Sequence, residues 1–196
     1  PRRPGLSEAL ESLDQMILSL VAIGGLEMAH MTRDDGWRFM SLGRHLERLL
    51  FVTTSVAEVA ASEMTEHPAL LEWLLDVSDS IITYRARYMG RAEWLAVANL
   101  LLLDARNPRS AVFQLSKLAK HVPLLPSGDL DMPVSRLEYL STVRTTEPAS
   151  GELFPRGDVL ADFLDQTEAV ALQLSDALTL RYFSHVYATP HATLVS

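Results

Sequence analysis

Between Trp37 and Val59 the apolar residues Met40, Leu42, Leu46, Leu49, Leu50, Val52 and Val56 return every three or four positions, and no other feature constrains the fold as strongly. An α-helix turns once in about 3.6 residues, so this spacing collects on one side of a helix and would scatter over both faces of a strand. The same spacing recurs in Leu6, Leu10, Leu13, Ile17, Leu20 and Val21, in Leu71, Leu74, Leu75, Ile81 and Ile82, and in Leu160, Phe163, Leu164, Val170, Leu174 and Leu178. No segment alternates apolar and polar residues as a half-buried strand does. The fold class that follows is all-α: a multi-helix bundle of about seven helices with no sheet.

Local signals place the ends. Ser7 caps a first helix that runs toward Gly24-Gly25 and on to His30. Thr32-Arg33-Asp34-Asp35 reads as a capping box, with Asp in the usual Glu/Gln position, opening a helix to about Ser62. A third helix runs from Pro68 to Gly90 and a fourth from Arg91 to Asp104. Asn107-Pro108 reads as cap plus first-turn proline of a helix ending at His121. Pro123, Pro126 and Gly128 make a loop, Pro133–Val143 a short helix, Thr145–Phe154 a turn-rich stretch and Asp158–Phe183 the last helix. Residues 1–5 read as a linker, 6–183 as one helical domain and 184–196 as a tail.

The sequence has no cysteine, which removes disulfide and thiolate chemistry and suits the cytoplasm, the expected location. Net charge is −8, with the excess acid in the last third: residues 121–196 hold four basic and ten acidic groups. No basic block of the kind that binds nucleic-acid phosphate is present, so nucleic acid is not an expected partner. The greasiest stretches, Met16–Met28 and Trp94–Leu103, fall short of the roughly 20 apolar residues that span a bilayer, so a membrane is not expected either.

Three groups of residues carry chemistry. Arg33, Trp37, Arg44 and Arg48 lie within one face of the second helix, with Asp34 near its start and Glu47 at i+3 from Arg44. Guanidinium forks with an indole suit a carboxylate or a phosphate. The competing reading is a lattice of salt bridges between helices. Tyr84, Arg85, Arg87, Tyr88 and Arg91 close the third helix, either lining a polar cavity or simply complementing the helix dipole. Asn99, Asp104, Asn107, Arg109, Ser110 and Gln114 gather where free helix amides would meet an anion, or else cap and pair among themselves. The histidines at 30, 45, 67, 121, 185 and 191 show no paired-ligand spacing, so neither a metal nor a cofactor is expected.

The strings Met31–Phe39, Gly43–Arg48, Tyr84–Tyr88, Leu103–Ser110 and Arg181–His185 resemble, in order, those of the bacterial alpha-E domain family. The resemblance implies a helical domain, usually longer, whose upstream half repeats the Trp/Gly-Arg/Glu-Arg pattern; on this reading the chain is its C-terminal portion. It also implies association with a circularly permuted ATP-grasp amide ligase, fused or separate, with transglutaminase-like cysteine proteases nearby. The expected role is that of an accessory partner holding an anionic small molecule, intermediate or peptide on its arginine-rich face. Two alternatives stand beside it: an enzyme acting on an amide bond with Glu47 or Asp104 as acid/base, and a structural interaction module. Charge counting sharpens the site expectation. Arg33, Arg44, Glu47, Arg48, Arg85, Arg87, Asp104 and Arg109 are expected to converge on one polar cluster inside or beside the bundle, and because the arginines outnumber Asp34, Glu47 and Asp104 the cluster is expected to form a local positive pocket that binds an anion.

Overall fold

A computed structural model describes residues 5–62, 64–126, 130, 134–142 and 157–184, and 82% of these are helical, with no strand among them. The chain divides into two compact units, 1–41 and 42–196, and the boundary falls inside the second helix.

The first unit is built on α1 (Leu6–His30), which follows Gly5 without a side-chain cap; Ser7 does not cap it. Gly24 and Gly25 are both accommodated within it. Leu6, Leu10, Leu13, Ile17, Leu20 and Val21 are all more than half exposed. By length and composition alone α1 is long enough and apolar enough to cross a membrane, because the helix carries the greasy segment further than a count of apolar residues implied. The next helix, α2 (Asp35–Ala61), starts from Asp34 rather than Thr32: the Asp34 carboxylate accepts the Trp37 N–H at 3.1 Å.

In the second unit α2 contributes Leu42, Leu46, Leu49, Val52, Val56 and Val59 to the core, all buried. The expected third helix is two: α3 (Pro68–Val77) and α4 (Ile81–Tyr88). Ser78-Asp79-Ser80 separates them, with Asp79 in the left-handed region at φ 50°. Short polar side chains compete with the backbone for hydrogen bonds, and Asp tolerates this conformation better than most residues. The Ser80 hydroxyl donates to the Ser78 carbonyl at 3.0 Å and fixes the break.

Next comes α5 (Trp94–Ala98), which widens into a π-helical turn, Asn99–Leu103. Leu100, Leu101, Leu102 and Leu103 are all buried, which only a helix surrounded by protein can achieve with consecutive residues. Then α6 (Ala111–His121) begins three residues later than the Asn107-Pro108 signal suggested, and its cap is Ser110, whose hydroxyl accepts the Phe113 N–H. It packs against α7 (Val134–Thr142), which packs against α8 (Gly157–Leu178), continued by a second π-helical turn, Thr179–Phe183. Eight α-helices are present among the described residues, against about seven expected, and the split of the third accounts for the difference. The turn-rich segment 145–154, the loop at Gly128, residues 1–4, and 185–196 with His185 and His191 lie outside the described residues.

Candidate functional site

The break between α3 and α4 opens a cleft of about 380 Å³ in the second unit. Glu47, Arg48, Phe51 and Val52 of α2 form one wall, Val77, Ser78 and Asp79 form the other, and Arg109 closes it from the turn before α6. These residues come from three parts of the sequence because α2 lies along the break.

Arg48 is the centre of its electrostatics. Its guanidinium is held below its ordinary pKa, first by burial and then by the like charges of Arg109 and Arg44, with Asp79 opposing. It remains a cation, since even a lowered arginine pKa lies far above neutrality. Among the described residues it makes no ion pair. Glu47 does not neutralise it, because neighbours on a helix point about 100° apart and do not face each other. Glu47 itself is exposed and makes no ion pair among the described residues. Arg109 is committed: its guanidinium donates to the Asp79 carboxylate, and the two form an ion pair at the mouth.

Behind Arg48, His45 Nδ1 lies 2.7 Å from Gln114 Oε1. The Gln114 amide nitrogen donates to the Pro108 carbonyl at 2.7 Å, so Oε1 is the acceptor and the His45 Nδ1 carries the proton. Burial lowers the His45 pKa, opposed by the Gln114 bond and assisted by Arg48, His121 and Lys117. The ring is therefore neutral at neutral pH, and it ties α2 to α6 beneath the cleft.

The other expected residues serve the fold. Tyr84 is buried; its hydroxyl donates to the Arg91 carbonyl at 3.1 Å and accepts the Glu93 N–H at 3.0 Å, stapling α4 to the start of α5. Arg87 pairs with Asp104, whose other oxygen accepts the Arg106 N–H at 2.9 Å. Asn107 is 1% exposed; its amide donates to Leu100 O and Ser80 Oγ, and its oxygen accepts the Arg109 N–H at 3.1 Å. Its hydrogen bonds thus hold the entrance of α6 against the π-helical turn and the α3–α4 break, and it is not the cap that the sequence suggested. Ser110 also donates to the Asp104 carbonyl at 2.7 Å, tying the start of α6 to the turn before it. Arg85 is exposed on α4.

In the first unit the Arg33 guanidinium stands 4.5 Å from the centre of the Trp37 ring and donates to the Met28 carbonyl at 2.7 Å. Of the expected site residues in the second unit, Arg48 feels the charges of Arg109 and Arg44 and shares the cleft lining with Glu47 and Arg109, while Arg87 pairs with Asp104. Sequence reasoning missed Asp79, Phe51 and Val77. A Ser-Asp-Ser run inside an otherwise helical pattern was the available signal for the first.

The profile of the Alpha-E family, described as a predicted alpha-helical domain with a conserved ER motif, matches residues 2–183. The sequence contains one Glu-Arg dipeptide, Glu47-Arg48, on the wall of the cleft. Uncharacterized proteins of Mycobacterium tuberculosis (strain H37Rv) and Mycobacterium bovis are each 31% identical over 172 residues, covering 83% of this chain and 19% of the relative. The chain thus spans about a fifth of the length of the curated relatives it matches. No solved structure matches it.

Proposed function

We propose, from the premise that this chain belongs to the Alpha-E family, that it is an accessory domain of an ATP-grasp-type amide ligase system, where it holds an anionic group of a substrate, intermediate or partner segment. The observation that carries the reading is Arg48: a part-buried guanidinium on the wall of an open cleft, with no ion pair among the described residues and with the like charges of Arg109 and Arg44 acting on it. Crowding like charges away from water costs stability, and an incoming carboxylate or phosphate relieves that cost. Guanidinium also binds such groups in a planar, two-pronged geometry. The association with an ATP-grasp ligase rests on the family resemblance, and a domain of this kind would bring an anionic end to the ligase rather than activate it.

The rival reading, an amide-acting enzyme with a carboxylate acid/base, finds less support. Asp104 is committed to an ion pair with Arg87 and accepts the Arg106 N–H, and Glu47 is exposed to water, so neither is the enclosed, uncommitted carboxylate that such a role needs. The test is co-expression of the chain with the ATP-grasp protein encoded beside it or fused to it. The reading expects a complex on size-exclusion chromatography and ligase turnover that falls at least tenfold with Arg48→Gln. Turnover unaffected by the chain, with no complex, would remove it.

A further inference from the structure

Resting on that anion-holding reading, we infer that the ligand is the C-terminal end of a peptide: a free carboxylate gripped by Arg48, with an apolar side chain seated between Phe51 and Val77.

The cleft is charged at its centre and greasy on its walls. Its lining holds two arginines, Arg48 and Arg109, and two carboxylates, Glu47 and Asp79. Asp79 pairs with Arg109, while Arg48 and the exposed Glu47 make no ion pair among the described residues, so Arg48 is open to an anion and Glu47 repels any second negative charge. That arrangement suits a monoanion better than a dianion. A phosphate dianion would face Glu47 and Asp79 with half its charge unmatched. Phosphate also has no use for apolar walls, and here Phe51 is 49% and Val77 38% exposed on either side of Arg48, with Val52 buried beneath. A carboxylate bearing an apolar substituent uses both features. Glu47, exposed and without an ion pair among the described residues, is an acceptor for the N–H groups that a peptide brings and phosphate lacks.

A second observation extends the site along α2. Gly43, Glu47 and Phe51 are spaced at i, i+4 and i+8 and are all exposed, so they form one outward line leading into the cleft. Glycine inside a helix costs about 1 kcal/mol relative to alanine. Nothing among the described residues requires it here, because a Cβ added at Gly43 meets none of their atoms within 4 Å. A bare backbone one turn from Glu47 leaves room for an extended ligand to lie close against α2. An inorganic ion in the cleft would have no contact there.

Isothermal titration calorimetry of the chain tests this with three probes: N-acetyl-dialanyl-leucine with a free carboxylate, the same tripeptide as its C-terminal amide, and inorganic phosphate. The acid is expected to bind, the amide at least tenfold more weakly, and phosphate not to displace the acid. Arg48→Gln should abolish binding, and Arg48→Lys, which keeps the charge without the fork, should weaken it severalfold; circular dichroism confirms that both remain helical. Gly43→Ala should weaken the tripeptide severalfold while raising the melting temperature. Equal affinity for acid and amide overturns the inference, and so does displacement by equimolar phosphate. Phosphate binding that is lost in Arg48→Gln, without tripeptide binding, overturns the peptide assignment and leaves the anion-holding reading standing. Silence from all three probes, together with no effect of Arg48→Gln on the ligase, removes both.

Discussion

Arg48 and His45 lie about one helical turn apart on α2: each is a cationic residue type placed partly out of water beside other cations, and the two resolve the conflict differently. Histidine sheds its proton, while arginine cannot. For Arg48 the expectation is that Arg48→Met, which keeps the aliphatic stem and removes the charge, raises the melting temperature, because burial and two neighbouring guanidinium groups oppose the charge in the folded state. A melting temperature lowered as much as by a core truncation would show that the charge is compensated after all. For His45 the folded pKa lies below the ordinary 6.5, so the unfolded chain binds the proton more readily. Its contribution to stability is complete above pH 6.5 and is lost as pH falls from there through the folded value. Melts between pH 7.5 and 5 are expected to show a steeper loss in the parent chain than in His45→Asn, and parallel curves would contradict this.

At the level of elements, the entrance of α6 and the α3–α4 break are one construction held by Asn107. Its buried amide bonds Leu100 O and Ser80 Oγ, and its oxygen takes the Arg109 N–H, so Asn107→Ala removes three hydrogen bonds at a buried junction and strips Leu100 O and the Arg109 N–H of this partner. A loss of about 3 kcal/mol in urea unfolding is expected. Ser110→Ala removes only a cap and one donor, and about 1 kcal/mol is expected. The contrast matters for function, because Arg109 and Asp79 flank these anchors and their ion pair closes the cleft. Loosening Asn107 should therefore also weaken any ligand held at Arg48, whereas losing the Ser110 cap should not. The π-helical turn Asn99–Leu103 belongs to the same construction, since Leu100 supplies one of the carbonyls that Asn107 reads.

For the whole molecule, burial divides the helices sharply. Leu115 and Leu118 on α6 are fully buried, and Leu115→Ala is expected to cost about 2–5 kcal/mol. The apolar stripe of α1 is exposed, and contiguous exposed apolar surface promotes association. Changing Leu13, Ile17 and Leu20 together to Gln is expected to raise solubility and reduce binding of an apolar dye, and unchanged dye binding would contradict this. The periodic spacing of apolar residues determined the all-α class, the extent of α1, α2 and α8, and the core residues of α3 and α8 with most of those of α2, because a helix's period is local and is written in neighbouring positions; it did not tell that the same spacing in α1 stays exposed. It also placed Arg44, Glu47, Arg48 and Arg109 among the candidate site residues, through their charge. Tertiary structure alone decided which charges met: Arg109 with Asp79, Arg87 with Asp104, and Arg48 with no ion pair among the described residues. It also decided that the helix through Ser78-Asp79-Ser80 breaks, which is what opens the cleft. The physical reason is range. Arg109 finds its partner 30 residues away, and which carboxylate reaches a guanidinium depends on how helices pack, a relation that no spacing within one helix records.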